Sequence, residues 1–323
     1  MDQSRRRRAL RKMASRMARF VGVVDVAARA EAIALRQDEF DARLFEVCQH
    51  QFQLQLARSV FLMMTYLGAT EVAEDELVSV IMPTRNRAHL IDHAIRSVRA
   101  QSYRNWELII VDDGSDDDTL KVVNRYGDRR IRVIRLDHRG PAAARNAALE
   151  RVRGAYIVYC DDDNTMHEHW LRGVVWGFRL QPDAQVLIGA RLLDDLDRSM
   201  GRARSGEPWL IVVDHWDRAT LAEYNLADTM QIAHRAGLPA RFDEDLVVCA
   251  DWDYIAKLTE DRVPLCLPIL AGVYMTTAHG RLMDSDRLEP ERSLVRARVL
   301  HSNAQLSVSP SAQPNPPSTD GLA

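Results

Sequence analysis

The sequence has few cysteines and no long apolar run. Its 323 residues include four cysteines, none in a C-x-x-C pair, so neither a structural zinc site nor a disulfide framework is expected. The longest apolar stretches, such as residues 60–67, are far shorter than the roughly 20 residues that span a bilayer. The start also lacks the apolar segment of a signal peptide. We therefore expect a cytoplasmic protein without a membrane-spanning helix.

Residues 1–75 lack proline, and residues 23–67 also lack glycine. Apolar residues recur there in alternating steps of four and three, from Val26 to Phe61. This spacing predicts one helix with a heptad-like seam, or a hairpin of two helices. The helical extension, residues 1–75, packs either on the rest of its own chain or against a second copy in a homodimer.

The overall composition is that of an ordinary globular protein, with 46% hydrophobic and 28% charged residues. A net charge of -3 argues against a nucleic-acid-binding surface, so no nucleic acid partner is expected. The first twenty residues nevertheless contain eight arginines and lysines. This basic start is either a solvated segment or a peripheral contact with anionic lipids at the inner face of the membrane.

Short apolar runs alternate with helical patterns from about residue 76 onward. The runs that predict buried strands are residues 78–82, 108–111, 131–136 and 156–159. The segments with helical patterns are residues 88–101, 116–126, 141–152 and 167–180. This alternation predicts an α/β fold with a mostly parallel sheet flanked by helices. The tail, residues 301–323, is rich in Pro, Ser and Gln, and we expect it to be disordered.

Polar residues follow three of the predicted strands. The segments are Pro83-Thr84-Arg85-Asn86-Arg87, Asp112-Asp113-Gly114-Ser115 and Asp161-Asp162-Asp163-Asn164. In open α/β sheets, ligands bind beyond the carboxyl ends of the strands, so these segments are expected to line one crevice.

The acidic residues in these segments indicate what the crevice binds. Asp161, Asp162 and Asp163 would repel one another, and a hard divalent cation with oxygen ligands would relieve that repulsion. The alternative is a solvated acidic loop. Asp112 and Asp113 directly follow four apolar residues, where a carboxylate accepts hydrogen bonds from a base N–H and ribose hydroxyls. Arg139, just before a predicted helix start, suits a phosphate or a base.

The segment from Val80 to Asn164 resembles the nucleotide-sugar-binding half of the inverting glycosyltransferase family 2, which has a GT-A type fold. The matching residues are Pro83-Thr84-x-Asn86-Arg87, Val111-Asp112-Asp113-Gly114-Ser115-x-Asp117/Asp118-Thr119, Ala144-Arg145-Asn146 and Asp161-x-Asp163. A second segment, Phe242-Asp243-Glu244-Asp245-Leu246 followed by Asp251-Trp252-Asp253, resembles the acceptor-side motif. The resemblance implies a mixed, mostly parallel, Rossmann-like sheet over residues 76–300, with the nucleotide-sugar-binding half at 76–165 and the acceptor half at 166–300.

The resemblance also implies a role for each matching residue. Asp251 would be the general base, although Ala250 stands where the family often has Glu, and Asp253 and Asp245 are the alternatives. Asp163 would bind Mn²⁺ or Mg²⁺ directly, with Asp161 beside it; His279 is either a further ligand or a surface residue. The implied nucleotide-sugar contacts are Pro83, Thr84, Asn86, Asp112, Asp113, Arg139, Asn146, Asp161 and Asp162.

The implied reaction is transfer of a sugar, with inversion, from a nucleotide-diphosphate sugar to an acceptor hydroxyl. A UDP-sugar is the expected donor, and the acceptor is a glycan, a lipid-linked sugar or a small metabolite. One alternative is a nucleotidyltransferase of similar architecture, which would carry a Gly-rich phosphate loop after the first strand. Another is a non-catalytic assembly protein on the same fold, which the presence of Asp163 and Asp251 disfavours.

Overall fold

The computed structural model describes residues 54–194, 196–197, 202–203, 209–211, 213, 216–275 and 286–308. His279, the basic start and most of the predicted seam lie outside these ranges. The chain divides into two compact units, Met1–Ala57 and Arg58–Ala323. The described residues belong to the second unit, apart from residues 54–57.

The strands form one large sheet and a small two-stranded one. The large sheet contains β1 (Val78–Thr84), β2 (Trp106–Asp112), β3 (Ile131–Arg135), β4 (Tyr156–Tyr159), β5 (Thr165–Met166), β6 (Val186–Asp194), β9 (Trp209–Ile211), β10 (Ile232–Arg235) and β11 (Leu265–Met275). β7 (Leu196–Asp197) and β8 (Arg202–Ala203) form the small one. The order in the large sheet is β3-β2-β1-β4-β10-β6-β11-β5, with β9 paired to β6.

The two ends of the large sheet differ in strand direction. β1 to β4 run parallel to one another, and every residue of β1, β2 and β4 is buried, as expected when helices cover both faces. β10 runs antiparallel to both of its neighbours, β4 and β6. The predicted mixed, mostly parallel sheet and its four predicted strands are confirmed.

Helices cover the faces of the sheet. They are α1 (54–69), α2 (Ile91–Arg99), α3 (Thr119–Asn124), α4 (Pro141–Leu149), α5 (Trp170–Leu180), α6 (Arg218–Glu223), α7 (Ala250–Leu258) and α8 (Leu288–Val308). A short 3-10 helix, Thr229–Gln231, precedes β10. In α2 the residues at helical spacing are buried, namely Ile91, Ala94, Ile95 and Val98. This is the pattern of a helix with one apolar face. The four segments with helical patterns in the sequence therefore correspond to the observed helices α2, α3, α4 and α5.

Helix α1 packs on its own domain through a face that the seam did not predict. Val60, Met64 and Leu67 are buried, whereas the seam position Phe61 is 69% exposed. A Cβ on Gly173 of α5 would lie 3.0 Å from Leu67 Cδ1, so this glycine permits the close approach of α5 to α1. Residues 60, 64 and 67 therefore pack on the same chain through a face other than the predicted seam. The seam as a homodimer contact stays a prediction.

Helix α8 continues to Val308, beyond the boundary predicted for the disordered tail. Its residues Val295 and Val299 are buried. The side chains of Ser302 and Asn303 each accept a 2.7 Å hydrogen bond from the Arg218 guanidinium. The expectation of disorder from residue 301 is therefore wrong up to residue 308, because these polar side chains have partners in the fold. Among the described helices, none has the length and apolar character needed to cross a bilayer.

Candidate active site

Three strands of the parallel half end at the same edge of the sheet. Thr84, the last residue of β1, is in register with Asp112, the last residue of β2, and Pro83 precedes it in the strand. On the other side of β1, Tyr159 ends β4 and is in register with Ile81. The segments after β1, β2 and β4 therefore lie next to one another at one edge of the sheet, and a ligand crevice there stays a prediction.

Hydrogen bonds join the loops that follow these strands. Thr84 Oγ1 donates to Asp162 Oδ2 at 2.6 Å, which links the ends of β1 and β4. The Asn86 amide donates to Ser115 Oγ at 2.9 Å, and Asn86 Oδ1 accepts from the Asp116 amide at 3.0 Å. Asn86 has a φ of 53°, a left-handed conformation that asparagine tolerates better than most residues. Its side chain thus holds the loops after β1 and β2 together.

Asp112 is a fully buried carboxylate with one oxygen available. Its Oδ1 accepts a hydrogen bond from the Ser115 amide at 3.1 Å. Its Oδ2 lies 3.6 Å from Arg135 Nε and has no hydrogen-bond partner within the described part of the chain. A buried acceptor of this kind is costly unless a donor reaches it. The nearby Arg135 charge offsets part of that cost, and a contact of Asp112 with a base N–H stays a prediction.

Asp113 is engaged with the backbone of the loop before α4. Its two oxygens accept hydrogen bonds from the amides of Arg139, at 2.7 Å, and Gly140, at 2.8 Å. Gly140 has a φ of 93°, which glycine adopts without strain. The carboxylate therefore shapes the start of α4, and a contact between Asp113 and a ribose stays a prediction.

The three aspartates after β4 have different surroundings. Asp161 Oδ1 accepts a 2.6 Å hydrogen bond from Arg145 Nη2. Burial raises the pKa of Asp162 to about 7; the Asp163 charge adds to this, whereas the hydrogen bond from Thr84 opposes it. Burial and then the charge of Asp161 raise the pKa of Asp163 to about 6. A nearby cation would therefore favour the ionised forms of both Asp162 and Asp163.

The donor chemistry after β4 fits a hard divalent cation. Carboxylate oxygens are the ligands that Mg²⁺ and Mn²⁺ prefer, and repulsion from Asp161 is among the causes of the raised pKa of Asp163. Within the described ranges no three His, Cys, Asp or Glu side chains are already arranged as a metal site. His279 lies outside those ranges, so its part in a site stays a prediction.

Asp251 lies in the first turn of α7 and is oriented by two hydrogen bonds. Its Oδ1 accepts from the Trp252 amide and its Oδ2 from Asn225 Nδ2, both at 2.8 Å. The residue is half-buried. Burial and then the charge of Asp228 raise the pKa of Asp251 to about 6, although both hydrogen bonds lower it. A carboxylate with this pKa is still largely ionised at neutral pH and is a stronger base than an ordinary one.

Two charged residues that the sequence did not assign lie among these carboxylates. Arg145 bonds Asp161; burial lowers its pKa, and the charges of Asp161, Asp228 and Asp251 more than offset that effect. Asp228, next to the short 3-10 helix, forms an ion pair of 3.3 Å with Arg191. Arg145 was part of a matching motif, but the sequence assigned it no role. No motif in the sequence singled out Asp228, because only the fold brings it near these carboxylates.

Asp228 interacts electrostatically with two of the predicted site carboxylates. Its charge contributes to the raised pKa of both Asp163 and Asp251, so both carboxylates lie within electrostatic range of it. A crevice shared by Asp163, predicted to bind the metal, and Asp251, predicted to act as base, stays a prediction.

Arg139 and Asn146 contact the segment before α7. Arg139 Nη2 donates to Glu244 Oε2 at 2.8 Å. Asn146 Nδ2 donates to the Phe242 carbonyl at 2.9 Å and to Glu244 Oε1 at 3.0 Å, while its Oδ1 accepts from the Phe242 amide. The nitrogen and the oxygen of the Asn146 side-chain amide are thus both hydrogen-bonded to the protein. A contact of either residue with the nucleotide stays a prediction.

The two alternative bases have other surroundings. Asp253 is buried and pairs with Lys257 at 2.6 Å and with Arg298 at 2.7 Å, which is the arrangement of a structural ion pair. Asp245 is exposed, and its amide donates to Asp243 Oδ1. Neither side chain shares the environment of Asp251, so Asp251 remains the candidate base.

Three buried polar side chains form a hydrogen-bonded cluster, those of His234, Tyr159 and Tyr254. His234 Nδ1 donates to the Arg235 carbonyl at 2.8 Å, since a carbonyl only accepts, and Nε2 is therefore the acceptor. The hydroxyls of Tyr159 and Tyr254 lie 2.9 and 3.0 Å from Nε2 and 2.8 Å from each other. Burial lowers the pKa of His234 to about 4. This group connects β4, β10 and α7, which carry the two sides of the site.

Comparison with solved structures identifies the class of fold. The crystal structure of S. aureus TarS 1-349 matches with a TM-score of 0.53 and 19% identity, covering 71% of this chain and 72% of that one. The same fragment in complex with UDP-GlcNAc matches with a TM-score of 0.53 and 18% identity, again covering 71% and 72%. The architecture is that of the GT-A glycosyltransferases.

Sequence comparison gives the family. The model for glycosyl transferase family 2 matches residues 79–237. WfgD of Escherichia coli, a UDP-Glc:alpha-D-GlcNAc-diphosphoundecaprenol beta-1,3-glucosyltransferase, is 42% identical over 92 residues, 28% of this chain and 36% of that protein. TuaG of Bacillus subtilis (strain 168), a putative teichuronic acid biosynthesis glycosyltransferase, is 45% identical over 91 residues, 27% of this chain. Residues 79–237 therefore match glycosyl transferase family 2, and the chain matches 36% of the length of each of these two relatives.

Proposed function

We propose that this chain transfers a sugar from a nucleoside diphosphate sugar to an acceptor hydroxyl, with metal assistance and inversion at the anomeric carbon. The observation that carries the proposal is Asp251, a half-buried carboxylate with a pKa of about 6 that two hydrogen bonds orient. The match of residues 79–237 to glycosyl transferase family 2 supports the reaction class.

A UDP-sugar is the proposed donor. The name of WfgD gives UDP-Glc as its donor, and the TarS fragment has been crystallised with UDP-GlcNAc. In this chain Asp112 Oδ2 offers a buried acceptor to a base N–H. Thr84, joined to Asp162, lies beside it at the end of β1. The proposed nucleotide pocket is the edge formed by β1, β2 and β4.

Asp163 and Asp161 are the proposed cation ligands, with His279 as a further candidate. A bound Mn²⁺ or Mg²⁺ would stabilise the negative charge of the leaving diphosphate. Arg145, bonded to Asp161, would orient that carboxylate.

Asp251 is the proposed general base. Its carboxylate takes the proton of the acceptor hydroxyl as the hydroxyl oxygen attacks the anomeric carbon. The bond from that carbon to the diphosphate breaks, and its electron pair leaves with the diphosphate. One displacement inverts the anomeric centre, whereas hydrolysis with retention would need a second flanking carboxylate. Asn225 and the Trp252 amide orient the base for this step.

The acceptor is proposed only by class: a glycan, a lipid-linked sugar or a small molecule that presents a hydroxyl. The acceptor in the name of WfgD is lipid-linked. A peripheral membrane contact through the basic start would suit such an acceptor, and it remains a proposal, as does a homodimer formed through the N-terminal helix.

The test uses the purified full chain with a panel of UDP-sugars, with Mn²⁺ and with EDTA. We expect calorimetry to detect UDP binding that depends on the metal, and we expect UDP release to exceed the no-enzyme rate with at least one sugar. Anomeric analysis of the product should find inversion. Absence of metal-dependent UDP binding would favour the assembly protein, and a retained anomer would contradict the mechanism.

A further inference from the structure

A single carboxylate on α8 accepts hydrogen bonds from three consecutive amides. Glu291 is only 7% exposed. The Val247 amide donates to Oε1 and Oε2 at 3.0 and 3.1 Å. The amides of Val248 and Cys249 donate to Oε2 at 2.7 and 3.0 Å. Hydrogen bonds to an ionised acceptor are among the strong ones, so residues 247–249 are firmly tied to α8.

The tied segment leads directly into the helix that carries the proposed base. Cys249 is the N-cap of α7 and makes no side-chain capping bond. Its carbonyl accepts from the Asp253 amide at 3.1 Å, and Asp251 lies between these two residues in the first turn. Any shift of residues 247–249 would therefore move the Asp251 carboxylate.

Other contacts fix α8 itself against the same region. Arg298 donates to Asp253 Oδ1 and to Asp243 Oδ2, both at 2.7 Å. Asp253 follows Asp251 in the first turn of α7, and Asp243 precedes the tied segment. Helix α8 therefore bonds the chain on both sides of Asp251.

We propose that Glu291 is a positioning residue for the reaction, which holds residues 247–249 so that Asp251 faces the acceptor hydroxyl. The proposal rests on the proposed role of Asp251 as base. Glu291 itself does not touch the reacting atoms. Its effect should appear in turnover and not in donor binding, because the donor edge is built from β1, β2 and β4, which Glu291 does not contact.

The experiment compares Glu291→Ala and Glu291→Gln with Val295→Ala. Val295 lies one turn further along α8 and is fully buried, so its truncation loosens α8 without removing the three amide bonds. We expect Glu291→Ala to lower kcat by roughly 10- to 100-fold, with the KM for the donor within about twofold of wild type. Glu291→Gln, which keeps the shape but loses the charge, should show a smaller fall. Val295→Ala should lower the Tm and leave kcat within about twofold.

Hydrogen exchange supplies a readout that does not depend on activity. The amides of residues 247–249 should exchange faster in both Glu291 variants and stay protected in Val295→Ala. Unchanged exchange, wild-type kcat in the folded Glu291 variants, or an equal loss of kcat in Val295→Ala would each overturn the proposal. Should Glu291→Ala fail to fold, Glu291→Gln carries the same comparison. Failure of the proposed function would instead appear as no sugar transfer by the wild-type chain.

Discussion

The donor half of the domain (residues 78–164) and its acceptor half (residues 166–308), named after the proposed function, hold their carboxylates through partners in different parts of the chain. In the donor half, the partners belong to that same half: Asp113 accepts from two backbone amides and Asp161 from Arg145. In the acceptor half, Glu291 and Arg298 of the C-terminal helix α8 bond the chain on both sides of Asp251. The donor half is therefore held by its own residues, whereas the position of Asp251 depends on a helix about 40 residues further along the chain.

The family match ends before the residues that surround Asp251. The family model covers residues 79–237, whereas Asp251, Glu291 and Arg298 all lie beyond it. The donor half should therefore determine nucleotide binding, and the acceptor half should determine turnover. The four predictions below test that division, from the largest expected effect to the smallest.

Asp251→Asn should lower transfer by about 10²-fold or more while leaving UDP affinity unchanged, because the variant loses only the proton acceptor. Steady-state rates and calorimetry on the same preparation measure the two quantities. Asp245→Asn is the matched control, since Asp245 is exposed, and it should keep normal turnover. Full activity of Asp251→Asn would show that another residue is the base. It would also contradict the assignment of turnover to the acceptor half through Asp251.

His234→Gln tests the junction between the halves. The pKa of His234 falls from 6.5 to about 4 in the fold, so between these values the unfolded chain binds a proton that the native state excludes. The contribution of this shift to the free energy of unfolding is complete above pH 6.5. It decreases by about 3 kcal/mol as the pH falls towards 4. Urea unfolding of wild type and variant at several pH values isolates this difference. Parallel pH profiles would show that His234 does not stay neutral in the fold.

Asp163→Ala should remove the metal-dependent part of UDP binding. Changes to the residues around metal ligands cost roughly tenfold or more in affinity. Loss of a direct ligand should therefore lower the metal-dependent UDP affinity by at least that factor. Calorimetry with UDP, with and without Mn²⁺, is the measurement. Asp118→Ala is the control, because Asp118 is an exposed acid paired with Lys121. Near-normal metal-dependent affinity in Asp163→Ala would exclude the proposed ligand role.

Asp228→Asn should produce the smallest change, a shift of the pH profile. The wild-type kcat should rise with pH through about 6, since Asp251 must be ionised and its pKa is about 6. Removing the Asp228 charge lowers that pKa, so the acid limb should move to lower pH, by about one unit at most. Rates at saturating donor between pH 5 and 8 measure the shift. An acid limb that stays in position, or moves upward, would remove Asp228 from the site.

The sequence predicted the donor half well because its information is local. Apolar runs bounded by acidic turns gave β1 to β4, and the rule that ligands bind at strand ends gave the crevice. The sequence did not predict what each aspartate bonds: Asp161 to Arg145 and Asp162 to Thr84. These partners depend on how the strand ends face each other.

In the acceptor half the sequence predicted Asp251 by resemblance and missed Asp228. Asp228 stands alone in the sequence, and only the pairing of β10 between β4 and β6 brings it to the crevice. The end of α8 was missed for a similar reason. Ser302 and Asn303 indicate disorder by composition, yet they bond Arg218 on α6. Polar residues with distant partners resemble solvated ones until the fold is known.

The anchoring of residues 247–249 by Glu291 has a consequence for how such enzymes diversify. On the proposed roles of Asp251 and Glu291, substitutions in α8 would change the direction from which the base meets an acceptor hydroxyl and would leave nucleotide binding unchanged. Recognition of the activated sugar and choice of the receiving hydroxyl would then respond to substitutions in different parts of the chain. Swapping C-terminal segments between relatives would accordingly be a route to new linkages made from an unchanged donor.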